Sequence, residues 1–134
     1  MTHLERRTVS TGTIWEEMAG YSRAVRVGER IFVSGTTAVG PDGLVGPGDP
    51  GAQAVYILQK IGAALTELDS RLEDVVRTRI YVADIEQWEP VARVHGQVFA
   101  HIRPANTLVE GRLVGPQYLV EIEVEAIVGA GAAL

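Results

Sequence analysis

An α+β chain, with two helices on one face of a mixed sheet, is what three features of the sequence predict. Period-two runs at residues 21–34, 73–83 and 119–128 set apolar side chains at alternate positions, as strands with one face against a core require. Residues 50–69 and 85–102 instead repeat apolar side chains at spacings of three and four, as amphipathic helices do. Glycine and proline collect between these runs, most densely at 40–51, where five glycines and three prolines exclude a regular element. The predicted order is β β β α β α β β.

Residues 4–9 are read as a short edge strand. Tyr21, Arg23, Val25 and Val27 then alternate with Ser22, Ala24 and Arg26, and Gly28-Glu29 is a tight turn into the IFV run that ends at Ser34-Gly35. Gly35 marks either a bulge or a point where the backbone closely approaches a neighbour. The glycine-rich loop has neither Walker nor GxGxxG spacing, so it is not a phosphate cradle. Asp49 as N-cap and Pro50 at the first helical position open the first long helix, with Val55, Leu58, Ile61, Leu65 and Leu68 as its core stripe. In the next strand Val76, Thr78, Ile80 and Val82 share one face, and Arg77, Arg79 and Tyr81 the other. The second helix buries Trp88, Val91, His95, Val98, Phe99 and Ile102. His95 in that stripe reads as a satisfied core histidine rather than a catalytic one, and His101 lies roughly 240° around the helix from it, so the two cannot share a metal. His3 falls in a terminal segment expected to be loose, and the small apolar tail 129–134 is expected to fray.

With 134 residues, the chain is expected to form one domain, 1–134, with a two-layer core. No apolar run approaches a membrane span and MTHLERRTVS lacks an apolar signal core, so the expected location is the cytoplasm. Absence of cysteine removes disulfides, thiol nucleophiles and cysteine zinc sites, and no metal or cofactor is expected. A net charge of −5 with Lys60 as the only lysine argues against a nucleic-acid surface, while eleven arginines suit ion pairs or an anion site.

The stretch 103–128, RPANTLVEGRLVGPQYLVEIEVEAIV, is expected to hold the last hairpin and the chemistry, with Gly115-Pro116 turning the chain into the final strand. There Val120, Ile122, Val124, Ala126 and Val128 face the core, and Glu121, Glu123 and Glu125 the other way. Three carboxylates in a row repel one another unless water, cations or donors meet them. A solvated edge strand accommodates them; so does a polar pocket, or a face buried against other subunits with Arg–Glu pairs near the interface.

Four motifs, namely Tyr21-Ser22, IFVSG at 31–35, RTRIYVADI at 77–85 and above all RPAN followed by VEIEVEAI, resemble the reactive-intermediate deaminase (Rid, YjgF/YER057c) family over nearly the whole chain. The resemblance implies a chorismate-mutase-like fold and a homotrimer whose sheets line a central barrel, with small-molecule clefts between neighbouring subunits. By the resemblance, Glu123 and the Gly35 carbonyl position the attacking water as the catalytic pair. Tyr21, Ser34, Asn106 and Leu108 line the substrate. Asn106 stands where deaminating members carry an arginine that forks onto a substrate carboxylate, and Leu108 where they often carry a cysteine. Losing such a charge partner costs on the order of 2–5 kcal/mol of binding. The implied function is therefore hydrolysis of a small imine- or enamine-type metabolite with altered specificity, toward a substrate that presents no carboxylate at Asn106. The alternative is a non-catalytic trimeric binding protein with the same clefts. The ribonuclease label attached to the family fits poorly with one lysine and an acidic chain.

Overall fold

The computed structural model describes residues 4–134, so the expectation for the His3 segment lies outside the described residues. Among the described residues, strands β1 (Arg6–Val9), β2 (Ala24–Val27), β3 (Arg30–Thr36), β6 (Val75–Val82), β7 (Ala105–Glu110) and β8 (Val120–Ile127) form one sheet in the order β1-β2-β3-β8-β6-β7. A small ribbon of β4 (Val39–Gly40) and β5 (Gly43–Leu44) sits within the glycine-rich loop. Helices α2 (Pro50–Glu67) and α3 (Trp88–Phe99) cover one face, so the mixed sheet with helices on one side is as expected.

Ile57, Leu58, Ile61 and Leu65 of α2 and Val91 and Phe99 of α3 close over Ile31, Val33, Ile80, Val82, Val120, Ile122 and Val124 of the sheet. Asp49 caps α2 through the Ala52 amide, with Pro50 at the first turn. Val55 and Trp88 leave the expected stripes, being 41% and 50% exposed. At about 100° per residue, Val55 sits about 120° from the centre of the buried face, which instead takes Gln53 and Ala54. Gln53 is fully buried and fully used: its amide donates to the carbonyls of Gly46 and Gln117 and its oxygen accepts from the Leu119 amide, tying α2 to the start of β8.

The expected last hairpin does not form. β7 runs parallel to β6, Thr78 opposite Asn106, and β8 is an interior strand, antiparallel to both β3 and β6. The cause is the crossover: α3 carries the chain from β6 back to a parallel β7, and the 111–119 connection must then pass β6 to reach the open side of β3. The glutamate row consequently lies mid-sheet, not on a solvated edge. Nor does the tail fray. It forms a 3-10 turn over Ala130–Ala133, with Gly131 buried and its amide donating to Asp74 Oδ1 at 2.9 Å. Burial raises the Asp74 pKa, but the Ser70 hydroxyl, the Gly131 and Gly129 amides and the Arg71 charge together outweigh it and hold the carboxyl below its ordinary range.

The period-two reading passes over α1 (Ile14–Ala19), a helix of six residues capped at Thr13 and ended by a left-handed Gly20. Its capping box, Thr13 with Glu16 at the third helical position, is legible in the sequence.

Candidate functional site

A bulge builds the site. Val33 pairs with Val124 and Thr36 with Ile122, so Ser34 and Gly35 crowd three steps of β3 against two of β8. Ser34 Oγ donates to the Ser22 carbonyl at 2.7 Å, and Thr36 Oγ1 to the Ser34 carbonyl at 2.8 Å, which fixes the bulge. At Gly35 the Glu121 side chain takes the space of a side chain: a Cβ there would lie 2.9 Å from Glu121 Oε1. Both readings of Gly35, bulge and close approach, are met at once.

Under the bulge lies a buried ion pair that no sequence motif announces. Arg23 and Glu16, each with a side chain 4% exposed, meet at 3.4 Å. Arg23 Nη1 donates to the Gly35 carbonyl at 2.6 Å and to Thr36 Oγ1 at 3.2 Å. Glu16 accepts from Ser10 Oγ, the Thr11 amide and hydroxyl, and the Thr13 hydroxyl, at 2.7–3.1 Å. Burial raises the Glu16 pKa, but the Thr11 and Thr13 donors with the Arg23 charge outweigh it and hold the carboxyl down at about 2. The Glu16 that completes the capping box of α1 is thereby also the counter-ion of Arg23, the residue before β2.

A cavity of about 230 Å³ opens above this pair, between α1, the bulge and the approach to β8. Tyr21, Arg23, Gly35, Lys60 and Glu121 line it, with Trp15 and Tyr118 packed edge to face, centroids 5.8 Å apart, as an aromatic wall. The Arg23 guanidinium also lies 5.6 Å from the Tyr21 ring centre. Burial, then the neighbouring Glu123, push the Glu121 carboxyl above its ordinary pKa. Lys60 Nζ donates to the Val39 carbonyl at 3.0 Å, and burial, then the Arg23 charge, lower its pKa.

Of the residues singled out from the sequence, the structure brings Tyr21 and Gly35 together with Glu121, and holds Ser34 beside them in the bulge. Glu123 lies one step along the row. Its Oε1 accepts from the Tyr81 hydroxyl at 2.6 Å and stands 3.9 Å from Arg79, which also reaches Glu125 at 3.6 Å. The Tyr81 hydroxyl is driven above its usual pKa, first by that bond and then by burial. Asn106 and Leu108 are elsewhere: in register with Thr78 and Ile80, they face the helices. Asn106 Nδ2 donates to Thr78 Oγ1, which pairs at 2.8 Å with His95 Nε2. His95 is thus a satisfied core-facing histidine, its pKa lowered by burial. Three strand spacings separate β3 from β7, about 14 Å in all, so one chain cannot present Gly35 and Asn106 to the same small molecule. Arg103 caps the end of α3 by donating from Nε to the Ala100 carbonyl. Among the described residues, no three His, Asp or Glu side chains gather to hold a metal, and no helix is long and apolar enough to cross a membrane.

Sequence reasoning misses Trp15, Arg23, Lys60 and Tyr118. Of these only Lys60 leaves a signal, as a lone lysine; Arg23, just before β2, leaves none.

Comparison with known proteins agrees with this architecture. Residues 13–128 match the family described as Endoribonuclease L-PSP. The chain is 39% identical over 132 residues to an uncharacterized protein of Streptomyces coelicolor, covering 97% of this chain and 98% of that one. It is 28% identical to the RutC family protein UK114 of Drosophila melanogaster, over 97% and 95% of the two chains. Among solved structures, a Mycobacterium tuberculosis member of the YjgF/YER057c/UK114 family superposes with a TM-score of 0.84 at 46% identity, covering 92% of this chain and 100% of the other. Family match and structural superposition agree: this chain belongs to the YjgF/YER057c/UK114 (Rid) family.

Proposed function

We propose that the chain hydrolyses the C=N bond of a small imine- or enamine-type metabolite in the Tyr21–Gly35–Glu121 cavity, in the cytoplasm. One observation carries this reading: the Glu121 carboxyl packs against the Gly35 bulge, inside the cavity, where burial and then the neighbouring Glu123 raise its pKa and so make its carboxylate a stronger base than a solvated one. Glu121 therefore takes the water-orienting role that the resemblance gives to Glu123, whose carboxylate is engaged by Tyr81. In the step, water oxygen bonds to the imine carbon while Glu121 accepts the water proton. Glu121 returns that proton to the nitrogen, giving a carbinolamine; the hydroxyl proton of the carbinolamine then passes through Glu121 to the nitrogen, the C–N bond breaks as the C=O bond forms, and ammonia leaves with a carbonyl compound as the other product.

The same reading makes the assembly a homotrimer with clefts between subunits. Asn106 and Leu108, too far from Gly35 in one chain, reach the cavity only from a second copy. The sheet face away from the helices, with Phe32 46% exposed beside the Arg79–Glu123–Glu125 cluster, offers a surface for that contact. Light scattering on the purified protein tests it, and a monomer at micromolar concentration would refute it.

A second reading has its own support. Arg23 already occupies the Gly35 carbonyl at 2.6 Å, the oxygen that the resemblance assigns to the water, and this favours a trimeric binding protein that holds its ligand unchanged. A 2-imino acid generated in situ by an amino-acid oxidase separates the two. Hydrolysis faster than the spontaneous rate, and lost in Glu121→Ala, supports the hydrolase. A rate indistinguishable from the spontaneous one supports the binder.

A further inference from the structure

We propose that Thr78 and His95 are positioning residues for Asn106: through one shared hydroxyl proton they hold its amide with the oxygen outward, so that the edge of β7 selects a ligand group that donates an N–H or O–H over a carboxylate. The selection rests on the reading in which Asn106 of a second copy lines the cleft. Three side chains on three elements carry the inference. Asn106 Nδ2 donates to Thr78 Oγ1 at 2.8 Å, and Thr78 Oγ1 lies 2.8 Å from His95 Nε2. Thr78 of β6 is fully buried. A hydroxyl has one proton and two lone pairs. Asn106 takes a lone pair, so the proton goes to His95, which accepts at Nε2 and carries its own hydrogen on Nδ1. The amide is thereby oriented. Its nitrogen points inward, and because Asn106 is exposed on an edge strand its Oδ1 is the half that a ligand meets.

The proton count makes this orientation conditional on His95. Once protonated, His95 donates from Nε2, which leaves the Thr78 proton with Asn106 as its other partner. A buried hydroxyl proton without an acceptor is costly, whereas turning the amide end for end keeps its shape. The amide therefore turns and presents its nitrogen. Charged groups on the surrounding elements are engaged elsewhere. On α3, Glu89 and Arg93 pair with each other at the surface, and beyond it Arg103 donates to the Ala100 carbonyl and His101 is exposed. On α2, Lys60 binds the Val39 carbonyl and Glu67 is exposed at the last position. On the sheet, Glu110 of β7 accepts from the Ile85 amide, and Arg77 and Arg79 of β6 alternate with Thr78 and so take the opposite face. What packs on the ring is Phe99, with centroids 4.6 Å apart. Burial alone lowers the His95 pKa, so the neutral, accepting form prevails near neutral pH.

NMR on the full chain, isotope-labelled at its histidine and asparagine nitrogens, reads the relay directly; pyruvamide is the donor-bearing probe and pyruvate, ionised throughout, its carboxylate counterpart. At neutral pH His95 shows the Nδ1–H tautomer, one Asn106 Nδ2 proton is protected from exchange relative to a free amide, and pyruvamide binds at least about tenfold more tightly than pyruvate. As the pH falls through the His95 titration the protection disappears and the preference drops by about tenfold or more. His95→Phe, which accepts nothing from Thr78, shows the turned amide and the lowered preference already at neutral pH, a change that a merely structural histidine would not produce. Should that variant fail to fold, the wild-type titration decides alone. An Nε2–H tautomer at neutral pH, or Asn106 protons indifferent to the His95 titration, overturns the relay. Equal affinities for the two probes overturn the selection. Probes that leave the Asn106 signals unmoved while the relay titrates as stated sink the reading that Asn106 lines the cleft, and the selection with it.

Discussion

Removal of the Glu16 carboxylate is the perturbation whose size the structure fixes best. Glu16 gathers donors from Ser10, Thr11 and Thr13 and faces Arg23 in the interior, so Glu16→Ala leaves a guanidinium buried without its counter-ion. Breaking such a pair from one side costs about 3–5 kcal/mol, a large part of the ~5–15 kcal/mol that holds a domain together. With a urea m-value of about 1–3 kcal/mol/M, the unfolding midpoint falls by about 2 M. Equilibrium urea unfolding, at one protein concentration because subunit association would shift the midpoint, is the assay. Glu16→Leu with Arg23→Met removes both charges together and costs less than the two singles added, with a coupling of about 2 kcal/mol or more. A Glu16→Ala cost below about 1 kcal/mol, or strictly additive singles, would show that the pair is not the strut under the bulge.

Acid should act through the same carboxylate. Its pKa falls from 4.5 to about 2 on folding, so it contributes about 3 kcal/mol above pH 4.5. That contribution is lost as the pH falls toward 2, and Glu16→Gln should flatten the stability profile across that window. Gly35→Ala sets a Cβ against only the mobile end of Glu121, so stability should change by less than about 1 kcal/mol while displacement of the carboxyl lowers imine hydrolysis by about 100-fold. Thermal unfolding and turnover measured on one preparation separate these effects. Gly131→Ala is the converse: its Cβ would lie 2.7 Å from Glu73 Cβ and 3.0 Å from the Glu73 carbonyl carbon. Backbone must move there, at about 1–3 kcal/mol by urea unfolding, with turnover per folded protein unchanged.

How far the sequence can be read depends on whether a feature is local. α2 is legible down to its cap because Asp49, Pro50 and the apolar spacing all lie within one element. α1 goes unread because six residues carry too little periodicity, although Thr13 and Glu16 spell its cap. Alternation in 119–128 assigns the faces of β8 correctly, but alternation says nothing about which strand lies beside it. A hairpin with β7 is therefore expected where β6 in fact intervenes. The same limit explains the glutamates. Glu121, Glu123 and Glu125 share a face, and only the register set by the Ser34–Gly35 bulge decides which one meets Gly35. Lys60 becomes a partner of the cavity only through its contact with β4, 21 residues away, and Arg23 through one with Glu16 of α1, seven residues away across a turn that alternation does not show.

Glu121→Gln and Glu123→Gln, compared side by side for the catalytic efficiency kcat/KM with a 2-imino acid as substrate, test the central claim most directly. Each keeps the shape and removes the charge of one neighbour in the row. The account predicts a loss of about 100-fold or more for Glu121→Gln and less than about tenfold for Glu123→Gln, whose carboxylate is held by Tyr81. The reverse order would contradict it and return the water-orienting role to Glu123.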